Sequence, residues 1–109
     1  MEILLEIRTY QLKAGTGQMF HHLVAAQSVP LLRQWGIRVI AFGSSQYDAD
    51  TYVLIRAFRD MDDLNQSQET FYASDAWRLG PREAIVGLIE SSTNVVLSAP
   101  ANTIQAINE

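Results

Sequence analysis

Candidate strands in this chain set aliphatic residues on one side against charge and aromatics on the other, and few folds satisfy both faces. From Ile3 to Leu12, the residues Ile3, Leu5, Ile7 and Thr9 alternate with Leu4, Glu6, Arg8, Tyr10 and Leu12. This is the period of two that sends successive side chains to opposite faces of a strand. Val53, Ile55 and Ala57 oppose Tyr52, Leu54, Arg56 and Phe58 in the same way, and Ile37, Val39 and Ala41 oppose Arg38, Ile40 and Phe42. A solvated face does not need so many aromatics, and an unpaired buried charge costs several kcal/mol or more. The face bearing Glu6, Arg8, Tyr10, Arg38, Phe42, Tyr52, Arg56 and Phe58 is therefore expected to meet a partner or a ligand. The aliphatic face is expected to pack on helices.

Between these runs the pattern turns helical. Thr16 is placed to cap a long helix on which Phe20, Leu23, Val24 and Leu31 recur at helical spacing. Pro30 is expected to kink that helix, and Trp35-Gly36 to close it. The polar stretch Ser44 to Asp50 joins two strands as a hairpin. Asp60 followed by Asp63 predicts a capped helix reaching about Tyr72, and Ser74 caps a short turn holding Trp77. Gly80-Pro81 opens a helix buried through Ala84, Ile85, Leu88 and Ile89. A last strand over Thr93 to Ser98 precedes Pro100. The order is βαββαβ. It predicts an α+β, ferredoxin-like domain with a four-stranded antiparallel sheet and helices on one face. The domain is expected over residues 1–98, with a C-terminal tail over 99–109 containing Ile104 and Ile107.

At 109 residues the chain has room for one domain, which buries roughly two thirds of the surface its unfolded form exposes. Its 48% apolar and 18% charged residues suit a packed core. A net charge of −4 with a lone Lys13 argues against a nucleic-acid surface. The absence of cysteine removes disulfide and thiolate chemistry and accords with a cytoplasmic protein. No apolar run approaches the ~20 residues of a membrane span, and Met1-Glu2-Ile3 does not begin a signal peptide.

Four stretches read together are distinctive: Glu6-Ile-Arg-Thr-Tyr-Gln-Leu-Lys-Ala-Gly15, Pro30-Leu-Leu-Arg-Gln-Trp-Gly-Ile37, Ala41-Phe-Gly43 and Ser74-Asp-Ala-Trp-Arg-Leu-Gly-Pro-Arg-Glu-Ala-Ile85. In these the chain resembles the NIPSNAP family over about residues 3–97. The resemblance implies a ferredoxin-like domain that pairs into a dimeric α/β barrel, and so a homodimer through the sheet face. Eukaryotic members are associated with mitochondria and vesicle traffic. Neither a presequence nor a second domain is expected from this sequence, so those partners and that location are not carried over.

His21 and His22 are the candidate proton-transfer residues, but neighbours on a helix point about 100° apart and cannot share a metal without strain. No His-x-x-x-His or Glu-x-x-His spacing occurs, and neither a metal nor another cofactor is expected. No Ser-His-Asp order, phosphate loop or dinucleotide fingerprint is present. Glu6, Arg8 and Arg56 read either as an ion-pair network or as an anion clamp in which Arg8, Arg38 or Arg56 holds a carboxylate or enolate. Tyr10 or Tyr52 would donate a hydrogen bond to it. Tyr72, Trp77 and Arg78 fall in an irregular stretch suited to completing a pocket, although Trp77 and Trp35 read first as packing. Arg82 opposes a helix dipole and suggests an acceptor nearby.

Three functions fit these residues. One is a homodimer binding a small, partly apolar or aromatic ligand with an acidic or carbonyl group. Another is a cofactor-independent enzyme of oxygenase or isomerase type, with His21 or His22 as base. The third is an interaction module with no ligand.

Overall fold

Strands β1 (Glu2–Leu12), β2 (Arg38–Ser44), β3 (Thr51–Phe58) and β4 (Ile89–Pro100) form one antiparallel sheet in the order β2-β3-β1-β4. The structure, a computed structural model, describes residues 1–103, so Ile104 and Ile107 lie outside the described residues. Helices α1 (Gly17–Leu23) and α2 (Val29–Gln34) connect β1 to β2, and α3 (Met61–Ala73), α4 (Asp75–Arg78) and α5 (Arg82–Val86) connect β3 to β4. The α+β, ferredoxin-like order expected from the pattern is the observed one. Among the described residues no helix is long and apolar enough to cross a membrane.

The helices cover the opposite face of the sheet from the one expected. Tyr52, Leu54 and Phe58 of β3 pack with Leu12, Phe20, Val24, Leu32, Phe71 and Trp77 in the main core, and Tyr10 and Phe42 pack against it. Glu6 and Arg56 are both fully buried beneath the helix layer. The aliphatic face instead stays uncovered. Leu5, Ala57 and Ala99 cluster there with Ile3, Ile40 and Ile55, and Val95 and Leu97 of β4 are exposed. The helix-side face is the larger store of apolar area, with fully buried Phe and Leu side chains contributing roughly 1.5–3 kcal/mol each. Its charges are tolerated because they neutralise one another and are hydrogen-bonded.

A register shift in β2 redirects one predicted site residue. Val39 pairs with Arg56 and Ala41 with Ile55, with the shift falling between them. The strict alternation of Arg38, Ile40 and Phe42 is broken as a result. Phe42, opposite Leu54, stays on the helix side, while Arg38, opposite Ala57, belongs to the uncovered side and is exposed. One extra residue in a strand reverses the parity of everything on one side of it.

Between α1 and α2 the chain makes a π-turn over Val24–Ser28, in which the Val29 N–H donates to the Val24 carbonyl. Pro30 explains the widening. It has no N–H to give the carbonyl four residues upstream, and a five-residue bonding step redistributes the ladder there. Gly36, at φ +78°, ends α2 in the left-handed conformation that its type allows, as expected.

Caps were partly legible. Asp60 accepts from the Asp63 N–H at 2.8 Å and Ser74 from the Trp77 N–H, both as expected. Thr16 makes no side-chain cap. The acceptor at the start of α1 is Asp50, whose carboxylate takes the Gly15 N–H at 2.9 Å and the Gly17 N–H at 3.0 Å, tying the β2–β3 connection to the β1–α1 turn. The last strand begins at Ile89 and runs through the buried Ala99 to Pro100, beyond both ends of the expected Thr93 to Ser98.

Candidate functional site

Glu6 and Arg56 face each other across β1 and β3, two residue pairs along from Arg8 opposite Leu54 and on the same face. Arg56 Nε donates to Glu6 Oε1 at 2.6 Å, and its Nη2 closes on the same oxygen. Arg8 Nε lies 3.3 Å from that oxygen. Gln68 of α3 and Asn94 of β4 donate to Oε2, Asn94 at 3.0 Å. Glu6 is thus surrounded by donors on both carboxylate oxygens. Burial alone would raise its pKa, but the Arg56 and Arg8 guanidiniums overcome this and hold it below the ordinary carboxylate value.

Tyr72, one turn beyond Gln68 on α3, completes the cluster. Its Oη accepts from Arg8 Nη1 at 3.0 Å and from Arg56 Nη1 at 3.2 Å. The Arg8 guanidinium sits 5.6 Å from the Tyr72 ring centroid, and that of Arg56 sits 5.5 Å from Phe58, within cation–π range. Two guanidiniums therefore share one carboxylate, and the buried cluster carries a surplus of one positive charge. Arg56 is fully buried, whereas the Arg8 side chain is 22% exposed. The surplus faces outward at Arg8.

Two cavities meet here. An outer recess of about 70 Å³ is lined by Arg8, Tyr10, Ser92, Thr93 and Asn94. An inner one of about 30 Å³ lies between sheet and helices, where Tyr10, Ser28, Tyr52, Tyr72 and Trp77 join apolar residues of the core. Tyr10 belongs to both and forms their common wall. Burial raises the pKa of its phenol, and burial pushes that of Tyr52 up to about 12. Both side chains are neutral hydrogen-bonding groups at ordinary pH.

His21 Nδ1 lies 2.7 Å from Tyr52 Oη, so His21 reaches the cavity only through a buried phenol. Its ring is otherwise near Phe42, and His22 is exposed. Among the described residues no group of three His, Asp or Glu side chains is placed to hold a metal ion.

Of the residues singled out from sequence, Glu6, Arg8, Tyr10, Arg56, Phe58, Tyr72 and Trp77 gather around one cluster and its cavities. Tyr52 lies at the inner end with Phe42 beside His21. Arg38 is elsewhere, in a surface groove of about 350 Å³ with Ile3, Gly36, Arg59 and Asp63. Arg82 is exposed with no ion pair among the described residues. Gln68, Asn94 and Ser28 were missed. Gln68 carried a signal, since four residues before Tyr72 places it on the same face of a helix. Asn94 and Ser28 carried none, because a strand register and a π-turn bring them in.

The NIPSNAP family model matches residues 5–101. Among solved structures the chain is similar to an uncharacterised NIPSNAP domain protein from Burkholderia xenovorans, at 23% identity over 90% of this chain and 94% of that one, with a TM-score of 0.79. It is also similar to two NIPSNAP family proteins from Agrobacterium tumefaciens. One is 23% identical over 89% and 87% of the two chains with a TM-score of 0.82, and its function is described as unknown. The other is 19% identical over 92% and 94% with a TM-score of 0.81. Comparison with curated proteins found no match.

Proposed function

The chain belongs to the NIPSNAP family, and from its site we propose a homodimeric binding protein for a small, partly apolar or aromatic molecule bearing one negative charge. One observation carries this reading. The cluster holds two guanidiniums against the single carboxylate of Glu6, and Arg8 presents the excess to the recess it shares with Tyr10 and Asn94. A partly desolvated surplus charge is costly, and a bound anion offsets that cost. The aromatic and aliphatic lining of the inner cavity supplies the environment for an apolar body, which its present volume of about 30 Å³ would admit only if Tyr10, the wall common to both cavities, turned aside.

The charged and aromatic face expected to meet a partner is covered by helices, so the pairing we propose is through the uncovered aliphatic face instead, where Val95 is 54% and Leu97 39% exposed. Contiguous apolar surface of this kind is what a two-fold interface buries. We assign the folded unit to residues 1–100, two beyond the expected boundary at 98 because β4 runs to Pro100 with Ala99 buried, and a cytoplasmic setting accords with the absence of cysteine.

A cofactor-independent enzyme is the second reading, favoured by the His21–Tyr52 contact of 2.7 Å. It links a cavity-lining phenol to an imidazole at the surface, and such a pair can pass a proton between cavity and solvent.

Native mass spectrometry of freshly purified protein tests the first reading. A dimer retaining an anionic adduct that is lost from Arg8→Met supports it. An adduct retained equally by Arg8→Met, or a monomer, contradicts it.

A further inference from the structure

A phenol oxygen has two lone pairs and one hydrogen. In Tyr72 both lone pairs are engaged by cations, Arg8 Nη1 at 3.0 Å and Arg56 Nη1 at 3.2 Å. The hydrogen is then directed away from both guanidiniums, and among the described residues it has no acceptor. Tyr72 lines the inner cavity and Arg8 the outer recess, the two side chains meeting at the Arg8 Nη1 to Tyr72 Oη bond with Tyr10 on the wall common to both cavities. Two charge-assisted bonds into its oxygen polarise the O–H and make it a stronger donor than an ordinary tyrosine. Of the other cavity phenols, Tyr52 Oη is engaged by His21, and Tyr10, which lines both cavities beside Arg8, has no pair of guanidiniums converging on its oxygen among the described residues.

We infer that Tyr72 donates a hydrogen bond to the ligand beside Arg8, so that the group recognised has two acceptor oxygens, as in a carboxylate or the enolate of a 1,3-dicarbonyl. This rests on the anion-binding reading of the site. Arg8 supplies the charge and takes one oxygen. Tyr72 supplies a directed neutral donor and takes the other, which fixes the plane of the head group relative to the cavity. Tyr72 is thereby a specificity-determining residue: it selects a planar, two-oxygen anion over a spherical one of equal charge. No bond is made or broken in this step.

The test uses the full chain with 1-naphthoate as the carboxylate probe and benzoylacetone as the dicarbonyl probe. Wild-type protein binds at least one of them, and the one it binds identifies the class. Tyr72→Phe weakens that binding about tenfold, the loss expected for one hydrogen bond to a charged acceptor. In proton NMR spectra of the saturated complex a downfield hydroxyl resonance appears, and it is missing from Tyr72→Phe. A role limited to bracing the two arginines would not produce that resonance. If wild-type binds a probe while Tyr72→Phe binds it within about twofold and the resonance never appears, the inference is overturned and the anion reading stands. If wild-type binds neither probe while Arg8→Met behaves identically, the anion reading has failed and Tyr72 has no ligand oxygen to serve.

Discussion

Arg56 and Glu6 stand directly opposite each other on adjacent strands, both without solvent exposure, and are joined by an Nε to Oε1 bond of 2.6 Å. This pair, in the middle of the sheet, makes a charged strand face compatible with a helix-covered core. It also leaves Arg8, the third charge of the cluster, without a carboxylate of its own.

Removing Arg56 tests the pair's structural weight. Arg56→Met leaves Glu6 buried with Arg8 as its remaining cation, and breaking a buried pair in this way typically costs about 3–5 kcal/mol. Urea denaturation is expected to show a loss near the lower end of that range, because Arg8, Gln68 and Asn94 still reach the carboxylate. A change within about 0.5 kcal/mol would mean that the pair is incidental to folding.

Stability should depend on acid through Glu6. Its folded pKa lies below its ordinary value of 4.5, and that of Asp63 is also lowered, chiefly by the Arg59 N–H it accepts. The folded form therefore binds these protons less readily than the unfolded chain does. The resulting stability is fully present above the unfolded values and is lost as pH falls through the folded ones. Urea midpoints measured over an acid series should hold steady near neutrality and drop below about pH 4.5. Glu6→Gln should flatten that drop, and an unchanged profile in this variant would assign it to other carboxylates.

Gly17 has no room for a side chain. A Cβ there would lie 1.9 Å from the Ala49 carbonyl oxygen, while the Gly17 N–H is held by Asp50. Gly17→Ala is expected to lower stability by about 1–3 kcal/mol through forced displacement of the β2–β3 connection. A thermal midpoint equal to wild type would show that the connection moves freely.

Much of this architecture was legible, and the misreadings have specific causes. The period of two in β1 and β3 placed Glu6, Arg8, Tyr10, Tyr52, Arg56 and Phe58 on one face, and the register confirms it. Which face the helices cover was not legible, because both faces are apolar enough to be buried and alternation has no sign. The error came from applying the cost of an unpaired charge to the whole face, although Glu6, Arg8 and Arg56 also read as an ion-pair network, which cross-strand register makes them. Arg38 was misplaced by a shift between Val39 and Ala41 that leaves no mark in composition. Pro30 signalled a disturbed helix, but the π-turn that absorbs it lies just upstream, at Val24–Ser28.

The aliphatic face gives the prediction on assembly. Leu97→Glu introduces a charge at an exposed β4 position on the uncovered side, opposite Leu5 of β1. Light scattering after size exclusion should find wild-type protein dimeric and Leu97→Glu monomeric, with an unchanged far-ultraviolet spectrum. A monomeric wild-type chain would refute pairing through this face.

The surplus cation is the centre of the account, and calorimetric titration of 1-naphthoate beside neutral 1-naphthamide tests it most directly. Wild-type protein should prefer the carboxylate by about tenfold or more, and Arg8→Met should lose that preference while retaining its fold. Equal affinity for acid and amide in wild type, or an undiminished preference in Arg8→Met, would contradict a ligand site built on the surplus positive charge that Arg8 presents.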